Sequence, residues 1–188
     1  MNERAPGLLS TRKVSEEVAY ATGVEAVLTI ADLEDLKLQA LKTRRRRMRI
    51  CTHGGETDPV HEMFIVHPKG AYVRPHKHQG KSESFCVIEG TVDFVTYDEA
   101  GEIESAVRMG DVSSGQPFYH RMNGPYYHTM LIRSDWLVFF EVTMGPFDRK
   151  DNIPAPWSPP DADVAAVTEF IEKLDFSVTR LLGPVKAG

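Results

Sequence analysis

The sequence predicts a mainly β protein, a small antiparallel sandwich or barrel with one helix before it and one after it. Three observations carry that expectation. From Met48 to Thr143 short runs rich in Val, Ile, Phe, Tyr and Thr alternate with glycine-containing turns, the spacing of an all-β domain. Ahead of that stretch Leu33, Leu36, Ala40 and Leu41 form one apolar stripe at helical spacing. Behind it Val164, Val167, Ile171 and Leu174 form another.

The elements follow in chain order. Residues 1–22 mix polar and small side chains without periodicity, so they are expected to be a loosely held leader or a docking arm with little function. Val24 to Ile30 reads as a short strand. Thr29 with Asp32 three residues on has the form of a helix start. Candidate strands are Arg47–Thr52, Glu62–His67, Ala71–His76, Ser84–Ile88, Thr91–Tyr97, Glu102–Arg108, Phe118–Met122, Tyr126–Ile132 and Leu137–Thr143. Asp98-Glu99-Ala100-Gly101 carries hairpin turn chemistry, because glycine tolerates positive φ and aspartate bonds its own backbone.

Pro154, Pro156, Pro159 and Pro160 exclude both helix and central strand from Asn152–Pro160, which is expected to be an extended strap. Asp161 or Asp163 can cap the last helix, and Gly183-Pro184 ends the ordered chain. The expected divisions are an arm and helix at 1–46, the β domain at 47–148, and strap plus helix at 149–188.

Composition removes several function classes. In 188 residues, 41% hydrophobic and 26% charged are ordinary globular values. The longest apolar stretches, such as Trp136 to Phe140, are far short of the roughly 20 residues of a membrane-spanning helix. No signal-peptide pattern follows Met1, so a cytoplasmic location is expected. Cys51 and Cys86 are too few for a disulfide framework and are expected to be reduced, buried thiols. A net charge of −5 argues against nucleic acid as the main partner.

One segment runs against that charge: Lys42, Arg44, Arg45, Arg46, Arg47 and Arg49 crowd into eight positions. A solvated helix end leading into a strand explains them, since cations suit a helix C-terminus. A patch for substrate phosphate or a partner chain is the alternative.

The chemistry concentrates further on. Gly70, five residues, His76, one residue, His78, four residues, Glu83, six residues and Gly90 follow without a gap. Side chains at i and i+2 of a strand share a face, which puts His76 with His78. Glu83 arrives after the turn Gln79–Ser82 on the face of Phe85 and Val87, and a carboxylate facing a core needs a partner. Two imidazoles and a first-row divalent ion would supply it. His120 and His128, later in the chain, are both open as a further ligand. His53, His61 and His67 lie outside the ligand spacing and are expected to make surface or core hydrogen bonds.

This spacing resembles the first motif of the cupin superfamily, where the two histidines and the glutamate bind metal and the closing glycine turns the chain. Gly110-Asp111 and Gly124-Pro125-Tyr126-Tyr127-His128 resemble the second motif, although its usual Pro-x-Gly is absent and Ile132 stands at its usual asparagine. Tyr72-Val73-Arg74-Pro75-His76-Lys77-His78, His128-Thr129, Phe140-Glu141-Val142 before Gly145-Pro146-Phe147-Asp148, and Ala155-Pro156-Trp157 are together similar to the WbuC family of cupin-fold metalloproteins, from about Leu33 to Asp161.

The resemblance implies a cupin barrel of the double-stranded β-helix or jelly-roll kind. It also implies one divalent transition-metal ion (Fe, Mn, Ni or Zn) on His76, His78, Glu83 and His128, and an association with polysaccharide and O-antigen gene clusters.

Strand parity then places Tyr72 and Arg74 on the face of His76 as candidate substrate-binding residues. Arg74 is expected either to clamp a ligand anion or to pair with Glu141. Tyr126 shares the face of His128 and is a candidate catalytic group, as are Arg74 and Glu141. Ligand positions left open on the ion fit a catalytic site.

Two function classes follow. One is a metal-dependent enzyme on a sugar or sugar nucleotide, an isomerase or epimerase, with an Fe(II) oxygenase as its rival. The other is a non-catalytic module that binds a small anion or sugar. The expected partner molecules are that small anionic or sugar-derived ligand and a second copy of the chain in a homodimer.

Overall fold

The computed structural model describes residues 9–185. The leader's first eight residues lie outside that range. Twelve strands and two helices follow in chain order: β1 (Thr11–Lys13), β2 (Val18–Ala21), α1 (Ile30–Ala40), β3 (Met48–Cys51), β4 (Val60–Pro68), β5 (His76–His78), β6 (Ser82–Glu89), β7 (Thr91–Tyr97), β8 (Ile103–Gly110), β9 (Tyr119–Asn123), β10 (Tyr127–Ile132), β11 (Trp136–Met144), β12 (Asn152–Pro154) and α2 (Val164–Leu182).

They form two sheets, a seven-stranded one ordered β1-β2-β3-β4-β11-β6-β9 and a five-stranded one ordered β12-β5-β10-β7-β8. Pairing is antiparallel throughout except for β2 with β3. The sheets face each other across Met63, Ile65, Phe85 and Phe139 from the larger and Phe94 and Met130 from the smaller. The fold is thus an open jelly-roll sandwich, the jelly roll that the resemblance implied, without closure into a barrel.

Each helix covers one outer face. Leu33, Leu36 and Ala40 of α1 pack on Met48, Ile50, Val66 and Val138 of the larger sheet. Thr29 and Asp32 form the expected capping box. Leu41 is 48% exposed, because it is the C-cap and has turned off the stripe. On the other side Leu174 and Val178 of α2 pack on Val95, Tyr97 and Tyr127, with the strap's Trp157 between. Asp163 caps α2 by accepting from the Ala166 N–H, and Val164, expected in the stripe, is exposed.

Several local expectations are corrected. Residues 24–29 form no strand, since a strand needs a ladder partner and Val24 stands fully in solvent. The leader does carry strands, β1 and β2, and β2 lays Tyr20 beside Cys51 in parallel register. The strand expected at Ala71–His76 begins only at His76: Ala71 closes a turn onto Pro68, and Pro75 has no N–H to donate to a ladder. Part of the strap pairs, with β12 lying on the edge of the smaller sheet against β5. Cys86 is half-buried and Cys51 buried, both as free thiols.

The hairpin is as expected. Asp98 Oδ1 accepts from the Ala100 and Glu102 N–H groups, and Gly101 has φ +93°. Gly90, the motif's closing glycine, has φ +91°, and a Cβ there would come within 2.1 Å of the Trp136 carbonyl oxygen. Only glycine fits that turn between β6 and β7.

Candidate metal centre

Three elements bring the predicted ligands together. His76 and His78 occupy β5, and β10 sets His128 directly opposite His76. The ligand nitrogens of these three lie within 4.8 Å of one another. Glu83 crosses the sandwich from β6, and its Oε2 lies 3.3 Å from His78 Nε2 and 3.3 Å from His128 Nε2. His128, and not His120, completes the group.

The second ring nitrogens set the orientation. His76 Nδ1–H donates to the Arg74 carbonyl at 2.8 Å and His128 Nδ1–H donates to the Tyr126 carbonyl at 3.0 Å. Both rings therefore keep Nε2 free to face the three-histidine group, as metal-ligating histidines do.

The donor set fits a metal ion. Donors about 2.1 Å from one ion lie about 3.0 Å apart at an octahedral edge and about 3.4 Å apart at a tetrahedral one, so 3.3 Å is a ligand-to-ligand spacing. Glu83 Oε2 is buried, and the two nitrogens near it lack the alignment of a hydrogen bond, which leaves that oxygen unpartnered. Leaving a buried carboxylate oxygen so costs free energy unless something else meets it.

Electrostatics tie the group together. Burial works against the Glu83 charge, yet His128 and His78 hold its carboxyl well below the usual range. Burial pushes His76 down to about 3, with further lowering from His128 and His78. His128 is raised despite its burial, because Glu83 sits against it.

Glu141 joins the site from β11. Burial, then the Glu83 charge and a hydrogen-bonding interaction with it, raise its carboxyl well above the usual range. No contact with Arg74 is involved. His120 lies close by, its ring 4.4 Å from Phe94 with a buried, unpartnered Nδ1, and Phe94 in turn stacks on His128 at 5.5 Å.

Three candidates are displaced. Arg74 donates from Nε to Ser158 Oγ at 3.0 Å and from Nη2 to the Ser158 carbonyl at 3.1 Å, so it fastens the strap. Tyr72 donates to the Pro159 carbonyl at 3.0 Å and meets Phe170 edge-on. Both precede β5, where no ladder enforces the alternation that strand parity assumed. Tyr126 precedes β10, is 50% exposed, and lies with its ring over Gly124.

The remaining histidines are buried. His53 and His61 stack at 4.1 Å, and His67 stacks on Phe139. The basic run occupies the turn from α1 to β3, where Arg45 and Arg47 bind Glu17. An apolar groove lined by Leu28, Leu33, Phe64 and Phe140 lies beyond the larger sheet, on the face away from the histidines.

Comparison with known proteins agrees on architecture. Residues 28–109 match the model of a family described as a domain of unknown function, DUF6016. No curated protein matches the chain. Protein SO0799 from Shewanella oneidensis is similar in structure with a TM-score of 0.50 and 10% identity, over 68% of this chain and 83% of that one. The cupin domain of Cnp3 from Schizosaccharomyces pombe has a TM-score of 0.42 and 13% identity, over 53% of this chain and 64% of that one. The capsular polysaccharide assembling protein CapF from Staphylococcus aureus has a TM-score of 0.42 and 16% identity, over 51% of this chain and 26% of that one. These are likenesses of fold. With its two facing sheets and its histidines on the inner face, the chain is a jelly-roll sandwich. Among the described residues no helix is long and apolar enough to cross a membrane.

Proposed function

We propose that this chain holds one divalent transition-metal ion on His76, His78, His128 and Glu83 and acts as a metal-dependent enzyme on a sugar or sugar-nucleotide substrate. The observation that carries the reading is Glu83 Oε2, buried and unpartnered, at ligand spacing from two imidazole nitrogens. The sugar substrate rests on the WbuC resemblance and its polysaccharide setting.

A bound ion would supply Lewis acidity toward a substrate carbonyl or hydroxyl oxygen. The chain's own residues do the rest. The Arg74 and Tyr126 carbonyls lock the tautomers of His76 and His128. Glu141 keeps a proton within hydrogen-bond reach of Glu83 and so offers the acid–base group that isomerisation or epimerisation needs. Phe85, Phe94 and Phe139 form a dry wall behind the donors, where charge interactions are strong.

The test is anaerobic purification with elemental analysis, followed by incubation of the same sample with sugar nucleotides and with oxygen. One ion per chain is expected, and His76→Ala is expected to lose it. A stoichiometric ion in His76→Ala defeats the ligand assignment. Metal-replete protein that binds sugar nucleotides, converts none and consumes no oxygen defeats the enzyme reading.

A further inference from the structure

The inner face of the larger sheet has a cation that the metal centre does not use. Alternation along β3 sends Met48 and Ile50 to the α1 side and Arg49 and Cys51 to the inside, and the register agrees. Arg49 pairs with Ile65 and Cys51 with Met63, both core residues between the sheets. Arg49 therefore begins an inner row that runs through Ile65 and Phe139 to Val87. The next row runs from Cys51 through Met63 and Glu141 to Phe85, and the one beyond contains Thr143 and Glu83. Successive inner rows are about 7 Å apart, twice the rise per strand residue.

Arg49 differs from the arginines that this fold pairs with carboxylates. Arg45 and Arg47 bind Glu17, while Arg108 and Arg133 bind Asp93. Among the described residues Arg49 has no carboxylate within ion-pair distance, and its Nε is buried without a hydrogen-bond partner. A half-buried guanidinium left so is costly unless an anion completes it. Its charge is felt by Glu141, Cys51, Tyr20 and His67 around it. Tyr20, brought in by β2, stands opposite Cys51 on its flank.

We infer that Arg49 is the oxyanion-binding group of the site, taking a phosphoryl or carboxylate group of the ligand on the far side of Glu141 from the histidines. This rests on the metal-centre reading and narrows its substrate class. The ligand presents hydroxyl or carbonyl oxygens at the His76–His78–His128 end and an anionic group about two rows away. A phosphorylated or acidic sugar meets that demand, and a neutral one leaves Arg49 unpaired. The anion-clamp role expected of Arg74 thus passes to Arg49, since Arg74 is spent on Ser158.

The test uses the full chain and inorganic phosphate, with acetate as the carboxylate probe, titrated calorimetrically into metal-free and zinc-loaded protein. Phosphate is expected to bind both forms, because the subsite lies apart from the ion. Arg49→Met is expected to weaken it at least about tenfold at unchanged metal content, the loss of a bidentate charge-assisted contact. Arg74→Met and the double variant Arg44→Ser/Arg46→Ser are expected to keep wild-type affinity.

Should Arg49→Met fail to fold, the Arg49 Nε–H resonance of the wild type, assigned by its loss in Arg49→Lys, decides, and it should move as phosphate is added. Phosphate that binds only the zinc-loaded form, affinity unchanged in Arg49→Met, or a resonance that stays still overturns the inference. Metal content in Arg49→Met reads the metal centre separately, so failure of either conclusion is recognised by itself.

Discussion

Two buried carboxylates, Asp93 and Glu83, stand on opposite sheets and end in opposite states. Asp93 is fully buried on the outer face of the smaller sheet, where Oδ1 accepts from Arg108 at 2.8 Å and Oδ2 accepts from Arg133 at 2.6 Å. Arg133 continues to Asp175 of α2, so the network buttons that helix to the sheet. Glu83 is 8% exposed on an inner face, and its Oε2 has no hydrogen-bond partner although two imidazole nitrogens flank it. Burial is comparable, and it is completion that differs. The chain finishes the first site with its own guanidiniums, whereas at the second only two imidazole nitrogens flank the buried oxygen.

Variants of the two residues should therefore fail differently. Asp93→Asn strands two buried guanidiniums and is expected to cost about 3–5 kcal/mol in urea unfolding, the usual penalty for breaking a buried ion pair. Glu83→Gln is expected to lose the metal ion in elemental analysis while unfolding at a urea concentration much nearer that of the metal-free wild type. Equal destabilisation by the two would erase the distinction.

Glu141→Gln sharpens the same comparison, because it replaces the transferable carboxyl proton with an amide N–H that can still donate to Glu83 and keeps the shape. Metal content should hold and turnover of the substrate should fall about 10²- to 10⁴-fold, the range of a general acid–base group. Unchanged turnover would reduce Glu141 to a structural partner.

His67 tests whether an unpartnered buried atom is by itself enough to mark a site. Its Nδ1 is unpartnered too, but its ring stacks on Phe139 away from the three-histidine group, and burial pushes its pKa down to about 3. The unfolded chain takes up this proton near pH 6.5 and the folded chain only near 3. The His67 contribution to stability is thus fully present above about pH 6.5 and lost as pH falls from there toward 3. His67→Phe should flatten that acid limb of the unfolding curve and leave metal content alone; an unchanged limb would show that another group sets it.

The smallest effect is expected at Arg74. Arg74→Met loses two hydrogen bonds to Ser158, about 1 kcal/mol in thermal unfolding, with the ion retained. Loss of the ion would return Arg74 to the site.

What could be read from the chain was local. Thr91–Tyr97 was placed to the residue because its β-rich run ends at the Asp98–Gly101 turn, and the turn's chemistry depends on four neighbours. His76, His78 and Glu83 were legible because their spacing spans one strand, one turn and the next strand. His128 needed only its own short approach from Gly124. Strand parity failed at Tyr72 and Arg74, since alternation holds only where a ladder holds the backbone extended, and β5 starts after Pro75.

By itself the sequence determined which residues turn and which histidines and glutamate stand as candidate ligands, because those properties belong to neighbours along the chain. Only the tertiary structure decided which face of each strand became the inside. That choice depends on partners far away: β10 for His76, β11 for Glu83, and β4 for Arg49. Arg49 looked like one cation in a basic run, and the pairing of β3 with β4 put it opposite the core residue Ile65 with its Nε buried.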